Sequence, residues 1–484
     1  MSREEKEFVK EITSQKTDYS QWYIDVILKT QLVDYAPVKG CMVIRPYGYG
    51  LWENMQQCLD RRIKETGHKN AYFPLFIPES LLNKEAEHVE GFAPEVAWVT
   101  QGGNEKLTER LVVRPTSETI ICEMYSRWIQ SWRDLPVLIN QWCNVVRWEK
   151  VTRPFLRTSE FLWQEGHTAH RNEEEAQEET LKMLEVYRDF VESDLAVPVV
   201  TGQKTENEKF AGALHTYSIE ALMSDGKALQ AGTSHNLAEH FAKVFDITFL
   251  DSDGSLKYVW QTSWGVSTRL IGAIIMVHGD DRGLVLPPKV APVQAVIVPI
   301  APKKVRTEVL SKVSAIYDEL RANGRLRIEL DDREEYSPGW KFNEWEMKGV
   351  PLRIEVGPRD LEKGQAVLVR RDSGEKEIVA LSELKERVDN LLVKIQTGMY
   401  EKAKRFREEN TRRIDDYEEF KQVIERDRGF VLSHWCGDSA CEQAIKEETK
   451  ATIRCIPFHV DKEPGQCLHC QKVSDQIVYF ARAY

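Results

Sequence analysis

The chain has 484 residues, a formal net charge of −11 and 42% hydrophobic residues, a size typical of two to four globular domains. The negative charge argues against unspecific nucleic-acid binding over the whole surface but leaves room for a local basic site. No apolar run approaches the roughly 20 residues that span a bilayer, and the charged N-terminus lacks an apolar signal region. We therefore expect a cytoplasmic protein that does not enter a membrane.

The first segments alternate between helix and strand. Apolar residues between positions 19 and 28 recur at helical spacing and predict an amphipathic helix. A strand over residues 40–46, a helix over 51–65 and a strand over 71–77 follow. Pro74 cannot donate to a strand ladder, so the last strand is expected at an edge or a dimer surface.

A strand over residues 111–114 leads into the segment Pro-Thr-Ser-Glu, which opens a helix predicted over 119–132. Thr116 and Glu118 then lie at a strand-to-helix junction, where side chains can face a cleft. The same residue types are also favoured at a helix N-cap and in a first helical turn. Thr116 and Glu118 alone therefore do not distinguish a binding role from a purely structural role.

Residues 144–167 are predicted to form a β-hairpin with arginines on its strands and loop. Arg147 and Glu149 lie two residues apart and would point to one face of the first strand. Arg157 and Thr158 lead into the second strand. Arginine offers a planar fork of donors that stays charged, so the hairpin fits a polyphosphate cradle as well as an ordinary surface hairpin.

Two later segments place polar residues next to helices. Residues 230–235, Gln-Ala-Gly-Thr-Ser-His, are predicted as a loop in which small residues let a ligand approach the backbone. Arg269 falls in the first turn of a helix predicted over 267–278, although a helix dipole favours anions there. Its position is explained if Arg269 and the dipole both face an anionic ligand.

The character of the sequence changes near residue 290. Residues 291–300 form a nearly continuous apolar run, typical of a strand buried on both faces. Helices and strands then alternate up to residue 395 and predict a small α/β domain with a mixed sheet. Residues 398–428 are highly charged with helical periodicity. The chain is thus divided into residues 1–288, 289–397 and 398–484.

Five of the nine cysteines follow residue 435. Cys436 with Cys441 and Cys467 with Cys470 form two closely spaced pairs, and each pair could supply two thiolates to one tetrahedral zinc. Free thiols are the alternative, and Cys455 could compete as a ligand. With no open position apparent, a zinc here would be structural.

Taken in order, these motifs resemble those of a class II aminoacyl-tRNA synthetase, and most closely those of the prolyl-tRNA synthetases of the archaeal and eukaryotic type. The resemblance runs from about residue 18 to the C-terminus. GHKNAYFPLF, NVVRWEK with RPFLRTSEFLWQEGH, and WGVSTRLIGAIIMVHGDDRG are similar to the three class II motifs. RPTSE, KFAG, QAGTSH and the late cysteines are similar to elements particular to the prolyl enzymes.

The resemblance implies an α+β fold with an antiparallel-sheet catalytic domain over residues 1–288. An α/β anticodon-binding domain over 289–397 and a small zinc-bearing α/β domain over 398–484 would follow. It further implies a homodimer that activates proline with ATP and transfers it to the 3′ end of tRNA(Pro). The cofactors would be ATP as co-substrate, Mg²⁺ with ATP, and structural zinc. The protein ligand of Mg²⁺ stays unassigned, because Gln230 stands where a carboxylate is expected.

The resemblance also implies a role for individual residues. Thr116 and Glu118 would hold the imino group of proline, since a carboxylate suits a cationic amine. Arg147 and Arg269 would be catalytic, with Arg147 joining the substrate carboxylate to the α-phosphate, where negative charge develops. The proline pocket would also include Phe92, Trp163, His167 and His235. ATP would be bound by Arg147, Glu149, Arg157, Thr158, Gln230, Thr233 and Arg269.

Outside the catalytic domain, the residues that match the family's anticodon-reading surface are Phe342, Glu346, Arg353, Arg359 and Asp360. The proline anticodon carries two guanines, whose edges suit arginine donors and carboxylate acceptors. Ordinary surface salt bridges are the alternative.

Two further expectations concern the catalytic domain. The C-terminal Tyr484 could fold back toward the active site. Fewer than 100 residues separate His167 from Thr262, which leaves no room for the large editing insertion of many bacterial prolyl enzymes.

Three other interpretations compete. A threonyl, seryl or glycyl synthetase would share the class II motifs, but the TSE and QAGTSH segments and the cysteine pairs argue against it. A catalytically silent relative that binds RNA would not need Arg147, Arg157 and Arg269 together. A zinc nucleic-acid-binding protein explains only the last 50 or so residues.

Overall fold

The computed structural model of the chain describes residues 12–86, 95–322 and 324–484. Its first part combines long antiparallel strands with helices that pack on them. In chain order the elements are α1 (Tyr19–Lys29), β1 (Val33–Tyr35), β2 (Met42–Ile44), α2 (Pro46–Glu65), β3 (Lys69–Asn70), β4 (Phe76–Pro78), α3 (Glu79–Ala86), β5 (Ala97–Gly102), β6 (Glu105–Val113), α4 (Glu118–Trp128), β7 (Val137–Val146), β8 (Glu160–His170), α5 (Glu173–Ser193), β9 (Val199–Gln203), β10 (His215–Leu222), β11 (Ala228–Ala238), α6 (His240–Phe245), β12 (Thr248–Leu250), β13 (Leu256–Tyr258), β14 (Trp260–Ser267) and α7 (Arg269–His278).

The second part continues with shorter strands. Its elements are β15 (Ala295–Pro299), α8 (Arg306–Arg321), β16 (Ile328–Leu330), α9 (Pro338–Met347), β17 (Leu352–Val356), α10 (Pro358–Glu362), β18 (Gln365–Arg370), β19 (Lys376–Ala380), α11 (Leu384–Glu409), β20 (Thr411–Arg413), α12 (Tyr417–Arg426), β21 (Phe430–His434), α13 (Ser439–Thr449), β22 (Ala451–Pro457), β23 (Gly465–Gln466), β24 (Val473–Ser474) and β25 (Ile477–Arg482). Short 3-10 helices span Trp132–Asp134, Lys303–Val305 and Leu381–Glu383.

One sheet of eleven strands joins the first and last parts of the chain, in the order β20-β21-β25-β22-β9-β10-β11-β14-β8-β7-β3. Strands β9, β10, β11, β14, β8 and β7 pair antiparallel. The two parts meet where β22 pairs with β9, with Pro457 opposite Gly202. A Cβ at Gly202 would lie 2.3 Å from the carbonyl oxygen of Ile456, so glycine permits this close approach.

Helix α5 covers the back of this sheet. Asn172 caps the helix by accepting from the backbone N–H of Glu175, and three glutamates occupy the first turn. The helix buries Leu184, Tyr187 and Phe190 against the sheet, in one core shared with α1, α2 and α7. This layer leaves the opposite face of the sheet free to form a site.

A second, mixed sheet has the order β16-β15-β17-β18-β19. Every residue of β15 is buried, which confirms the strand buried on both faces. Strand β19 was not predicted, because Lys376–Ala380 runs from two charged to three apolar residues without the alternation that indicates a half-buried strand. The predicted boundary between residues 397 and 398 lies inside α11, which continues without interruption to Glu409.

The α+β class is confirmed, but several local predictions were wrong. Residues 230–235 belong to the central strand β11 rather than to a loop. Strand β7 ends at Val146, so Arg147 and Glu149 lie just beyond it, where one further backbone bond joins Arg147 to Ser159. Strand β10 is buried along nearly its whole length.

The segment predicted as a strand over residues 71–77 forms strand only at its end, in β4. Pro74 precedes β4, which pairs with β6 in a three-stranded sheet. Among the described residues, no helix combines the length and the apolarity needed to cross a bilayer.

Candidate active site

A cavity of about 330 Å³ opens on the face of the central sheet opposite α5. Successive side chains of strand β11 point to opposite faces of the sheet. The Ser234 hydroxyl donates to the carbonyl of Thr180 on the face covered by α5, whereas Thr233 and His235 line the cavity on the other face. Most of the residues predicted for the active site meet here. Those lining the cavity are Thr116, Glu118, Arg147, Trp163, His167, Gln230, Thr233, His235 and Arg269.

Three residues predicted to bind ATP lie elsewhere. Arg157 donates to Glu149 at 2.8 Å, and this pair sits in the loop between β7 and β8 rather than in the cavity wall. Thr158 is buried and donates to the carbonyl of Glu160. Phe92, predicted for the proline pocket, lies outside the described residues.

Buried carboxylates form the floor of the cavity. Glu118 begins α4 and accepts from the hydroxyl of Thr116. Beside it, Glu165 of β8 accepts from Ser117 and from Gln141, the latter at 2.9 Å, and pairs with His167 at 2.9 Å. Because Glu165 is already bonded on both oxygens, it serves to hold the floor in place.

The pKa values of the two histidines of the cavity are shifted in opposite directions. Burial opposes the charged form of His167, but the hydrogen bond to Glu165 and the nearby Glu118 raise its pKa above the usual value. Burial also opposes ionisation of Glu165, but the bond and charge of His167 hold its pKa below the usual value. Burial, followed by repulsion from His167, lowers the pKa of His235 to about 3, so His235 is neutral at neutral pH.

Two arginines, Arg147 and Arg269, also line the cavity. Arg147 donates to the carbonyl of Pro115 at 3.0 Å, and its guanidinium lies 5.5 Å from the rings of Phe161 and Trp163. The side chain of Arg147 reaches solvent through the cavity. The protein atoms packed around it nevertheless lower its pKa, because they displace water that would stabilise its charge. Burial, and then the like charge of Arg147, lower the pKa of Arg269. This repulsion favours a bound anion between them.

Glu165 and Phe210 are among the lining residues to which the sequence assigned no role. Glu165 alternates with Trp163 and His167 along β8, so the period of two could have placed it on their face. Phe210 lies against His235, with ring centroids 4.8 Å apart. The KFAG segment that contains Phe210 marked the region by its resemblance, but its polar surroundings lack a periodicity that would place the ring in the cavity.

Comparison with known proteins identifies the family. A model of the class II tRNA synthetase core domain (G, H, P, S and T) matches residues 98–278. Models named anticodon binding domain and prolyl-tRNA synthetase, C-terminal, match residues 294–391 and 417–484.

Full-length relatives agree with these matches. A proline–tRNA ligase of Natranaerobius thermophilus is 67% identical over 486 residues, which cover 100% of both chains. Those of Alkaliphilus oremlandii and Symbiobacterium thermophilum are 64% and 62% identical, again over 100% of both chains. The chain belongs to the proline–tRNA ligases. Because these relatives are bacterial, they support the family but not the archaeal and eukaryotic subtype that the motifs suggested.

In this proline–tRNA ligase family member, the predicted anticodon residues divide into two groups. Glu346 and Arg353 line a second cavity, of about 190 Å³, and Arg353 lies 4.4 Å from the ring of Phe342. Arg359 and Asp360 belong to the short helix α10 and are not among the lining residues of that cavity. Asp360 accepts from the backbone N–H of Gly357 at 2.9 Å and so has a structural role.

The four predicted zinc ligands come together in the C-terminal region. The sulfur atoms of Cys436, Cys441, Cys467 and Cys470 all lie within 4.8 Å of one another, and those of Cys436 and Cys470 are 3.6 Å apart. Zinc–sulfur bonds of about 2.3 Å imply sulfur separations of about 3.8 Å in a tetrahedron. The donor set therefore fits a structural zinc, whereas Cys455 is buried elsewhere in β22 and outside this cluster.

Glu118, Glu165 and His167 are the other group whose donor atoms lie close enough for a metal ion among the described residues. They do not fit such a role, because Glu165 is paired with His167 and Glu118 is bonded to Thr116.

Proposed function

We propose that the protein activates L-proline with ATP to prolyl adenylate and pyrophosphate, and then transfers the prolyl group to the 3′-terminal adenosine of tRNA(Pro). The observation that carries this proposal is that one cavity contains both a buried carboxylate and two arginines. Glu118, bonded to Thr116, suits a cationic imino group, whereas Arg147 and Arg269 suit carboxylate and phosphate.

In the first step a proline carboxylate oxygen attacks the α-phosphorus of ATP. A carbon–oxygen–phosphorus linkage forms, and the bond from the α-phosphorus to the bridging oxygen breaks, so that pyrophosphate leaves with the electron pair. Arg147 and Arg269 would stabilise the negative charge that develops at the α-phosphate. No side chain needs to act as a nucleophile, and catalysis would consist of positioning and electrostatics.

Selection of proline would depend on the floor and walls of the cavity. Glu118 would accept from the imino group, with Thr116 fixing its rotamer. The neutral His235 adds no positive charge near that cation, and it joins Phe210 and Trp163 in an aromatic wall. A pocket of this kind holds a small apolar ring by contact area and shape.

Metal ions would serve two separate purposes. Enzymes of class II use Mg²⁺ with ATP, which neutralises phosphate charge, and the described residues of the cavity offer it no unoccupied carboxylate pair. Cys436, Cys441, Cys467 and Cys470 would hold a structural zinc that fixes the C-terminal fold.

Pyrophosphate exchange that depends on proline tests the proposed reaction. The Arg147→Ala variant should lower kcat/KM by about 1000-fold, since one charged donor to a developing oxyanion contributes at this level. Arg127→Ala is the matched control, because Arg127 pairs with Glu123 on the exposed side of α4, away from the cavity. Strong exchange with threonine, serine or glycine instead of proline would contradict the assignment.

We also propose the domain architecture of the archaeal and eukaryotic type, without an editing domain. Residues 171–259 are occupied by α5, β9–β13 and α6, which belong to the core or pack on it. The protein is therefore expected not to deacylate alanyl-tRNA(Pro), and rapid deacylation by the purified protein would contradict this.

A cytoplasmic homodimer completes the proposal. Large apolar side chains are exposed around the first class II motif, among them Tyr35, Val43, Tyr72, Phe76 and Trp98. A second copy of the chain would cover such a patch. Mass measurement in solution should give twice the 56.0 kDa of one chain.

A further inference from the structure

Residues 204–210, here called the 204–210 loop, connect β9 to β10 and reach the cavity. Glu208, Lys209 and Phe210 form part of the cavity wall. The backbone N–H of Phe210 donates to the hydroxyl of Thr216 at 2.9 Å, and that hydroxyl contacts His235 at 3.0 Å. The position of this loop therefore decides where Phe210 and His235 meet the substrate.

The C-terminal region holds the base of the 204–210 loop through buried charges. Lys204 donates to the carbonyl of Arg454 at 2.6 Å and to the carboxylate of Glu220 at 2.8 Å. Arg454 donates to the same carboxylate through Nε at 3.0 Å and Nη2 at 2.8 Å. All three side chains are nearly inaccessible to solvent, and such a satisfied network rigidifies its surroundings.

Helix α13 of the C-terminal region holds the middle of the same loop. Glu442 is 3% exposed and accepts from the hydroxyl of Thr205 at 2.7 Å and from the amide of Asn207 at 3.0 Å. The carbonyl of Thr205 in turn accepts from the backbone N–H groups of Glu208 and Lys209. Glu442 is thus connected to the cavity wall by two successive hydrogen bonds.

We propose that Glu442 is a positioning residue for proline: it holds the 204–210 loop through Thr205 and Asn207, so that Phe210 stays against His235. The proposal rests on the proposed proline pocket and adds a contribution from outside the catalytic core. Without Glu442, Thr205 and Asn207 lose their buried partner, and the loop samples positions in which the aromatic wall is incomplete.

The Glu442→Ala variant should raise the KM for proline in pyrophosphate exchange by about 10-fold. The KM for ATP and kcat should stay within about 2-fold, because Arg147 and Arg269 do not contact the loop. Glu447→Ala is the matched control, since Glu447 lies on the exposed face of the same helix. A loss of folded enzyme alone would lower the active fraction and the Tm without changing the KM.

Thr205→Val provides a second variant that leaves α13 and the cysteine cluster intact. Thr205→Val should also raise the KM for proline. The double variant of Thr205→Val and Glu442→Ala should have a KM for proline no higher than that of Glu442→Ala alone, because the two residues act through one hydrogen bond. An unchanged KM for proline in Thr205→Val, with normal exchange by the wild type, would overturn this inference alone. A wild type without proline-dependent exchange would overturn the proposed function and this inference with it.

Discussion

The cavity and the proposed anticodon surface use arginine in different ways. In the cavity, the guanidinium groups of Arg147 and Arg269 repel each other, and their side-chain hydrogen bonds go to backbone carbonyls. On the anticodon surface, Arg353 donates to Glu355 at 3.0 Å and 2.9 Å. Glu346 accepts from Arg282. The side-chain hydrogen bonds of the cavity arginines thus go to neutral groups, whereas Arg353 and Arg282 are each paired with a carboxylate.

This difference follows from the size of the ligand. A small substrate contributes few contacts, so its site must be assembled before binding, with charges that only the substrate and ATP can balance. A tRNA covers a large surface and can replace internal ion pairs with its own phosphates and bases. Substitutions in the cavity should therefore affect the chemistry, whereas those on the anticodon surface should affect only tRNA binding.

After that of Arg147→Ala, the largest effect is expected at the floor of the cavity. Glu118→Gln should lower kcat/KM for proline in pyrophosphate exchange by about 100-fold, because the cationic imino group would lose a buried charged partner. Aminoacylation should fall by the same factor, since both assays depend on activation. Glu123→Gln is the matched control: Glu123 lies on the same helix and pairs with Arg127 outside the cavity. Equal activity of Glu118→Gln and Glu123→Gln would remove Glu118 from the proline pocket.

A smaller and more selective effect is expected on the anticodon surface. Arg353→Ala should lower kcat/KM for tRNA(Pro) in aminoacylation by about 20-fold, since one base contact contributes about 1–3 kcal/mol. Pyrophosphate exchange without tRNA should not change. Arg387→Ala controls for a lost ion pair in the same part of the chain, because Arg387 pairs with Glu377 at 2.7 Å. A parallel loss in pyrophosphate exchange would show that the two sites are not independent.

Sequence patterns located the parts of the cavity that lie in short motifs. Four cavity residues lie in or directly after a segment that the sequence predicts as a strand or as the start of a helix, and the fold brings them together. These residues are Thr116, Glu118, Arg147 and His167. The pattern could not distinguish a charge that binds a ligand from one that binds a neighbour. Arg157 and Glu149 have opposite charges in one loop, and they pair with each other.

Tertiary structure decided the features that the patterns missed. Gly232, Thr233 and Ser234 have the composition of a loop, yet strands on both sides pair with them and make them a central strand. Phe210 ends a loop whose Thr205 donates to Glu442, more than 200 residues away along the chain. Contacts over such distances leave no local periodicity, so only the folded chain reveals them.

The smallest effect concerns the charge of His167 and depends on one proton. In the wild type, the raised pKa of His167 contributes stability that is fully present below the unfolded pKa and is lost as the pH rises through the folded value. Glu165→Gln removes the anion that supports the imidazolium, so burial should dominate and lower the pKa of His167.

Titration of the His167 ring by NMR should show a lower midpoint in Glu165→Gln than in the wild type. The free energy of unfolding of the wild type should decrease as the pH rises above the unfolded pKa of histidine, and that of the variant should not show this decrease. Glu160→Gln, on the exposed edge of the same strand, should titrate like the wild type. If Glu165→Gln left the midpoint unchanged, Glu118 rather than Glu165 would be the anion that keeps His167 charged, because Glu118 is the other carboxylate that raises its pKa.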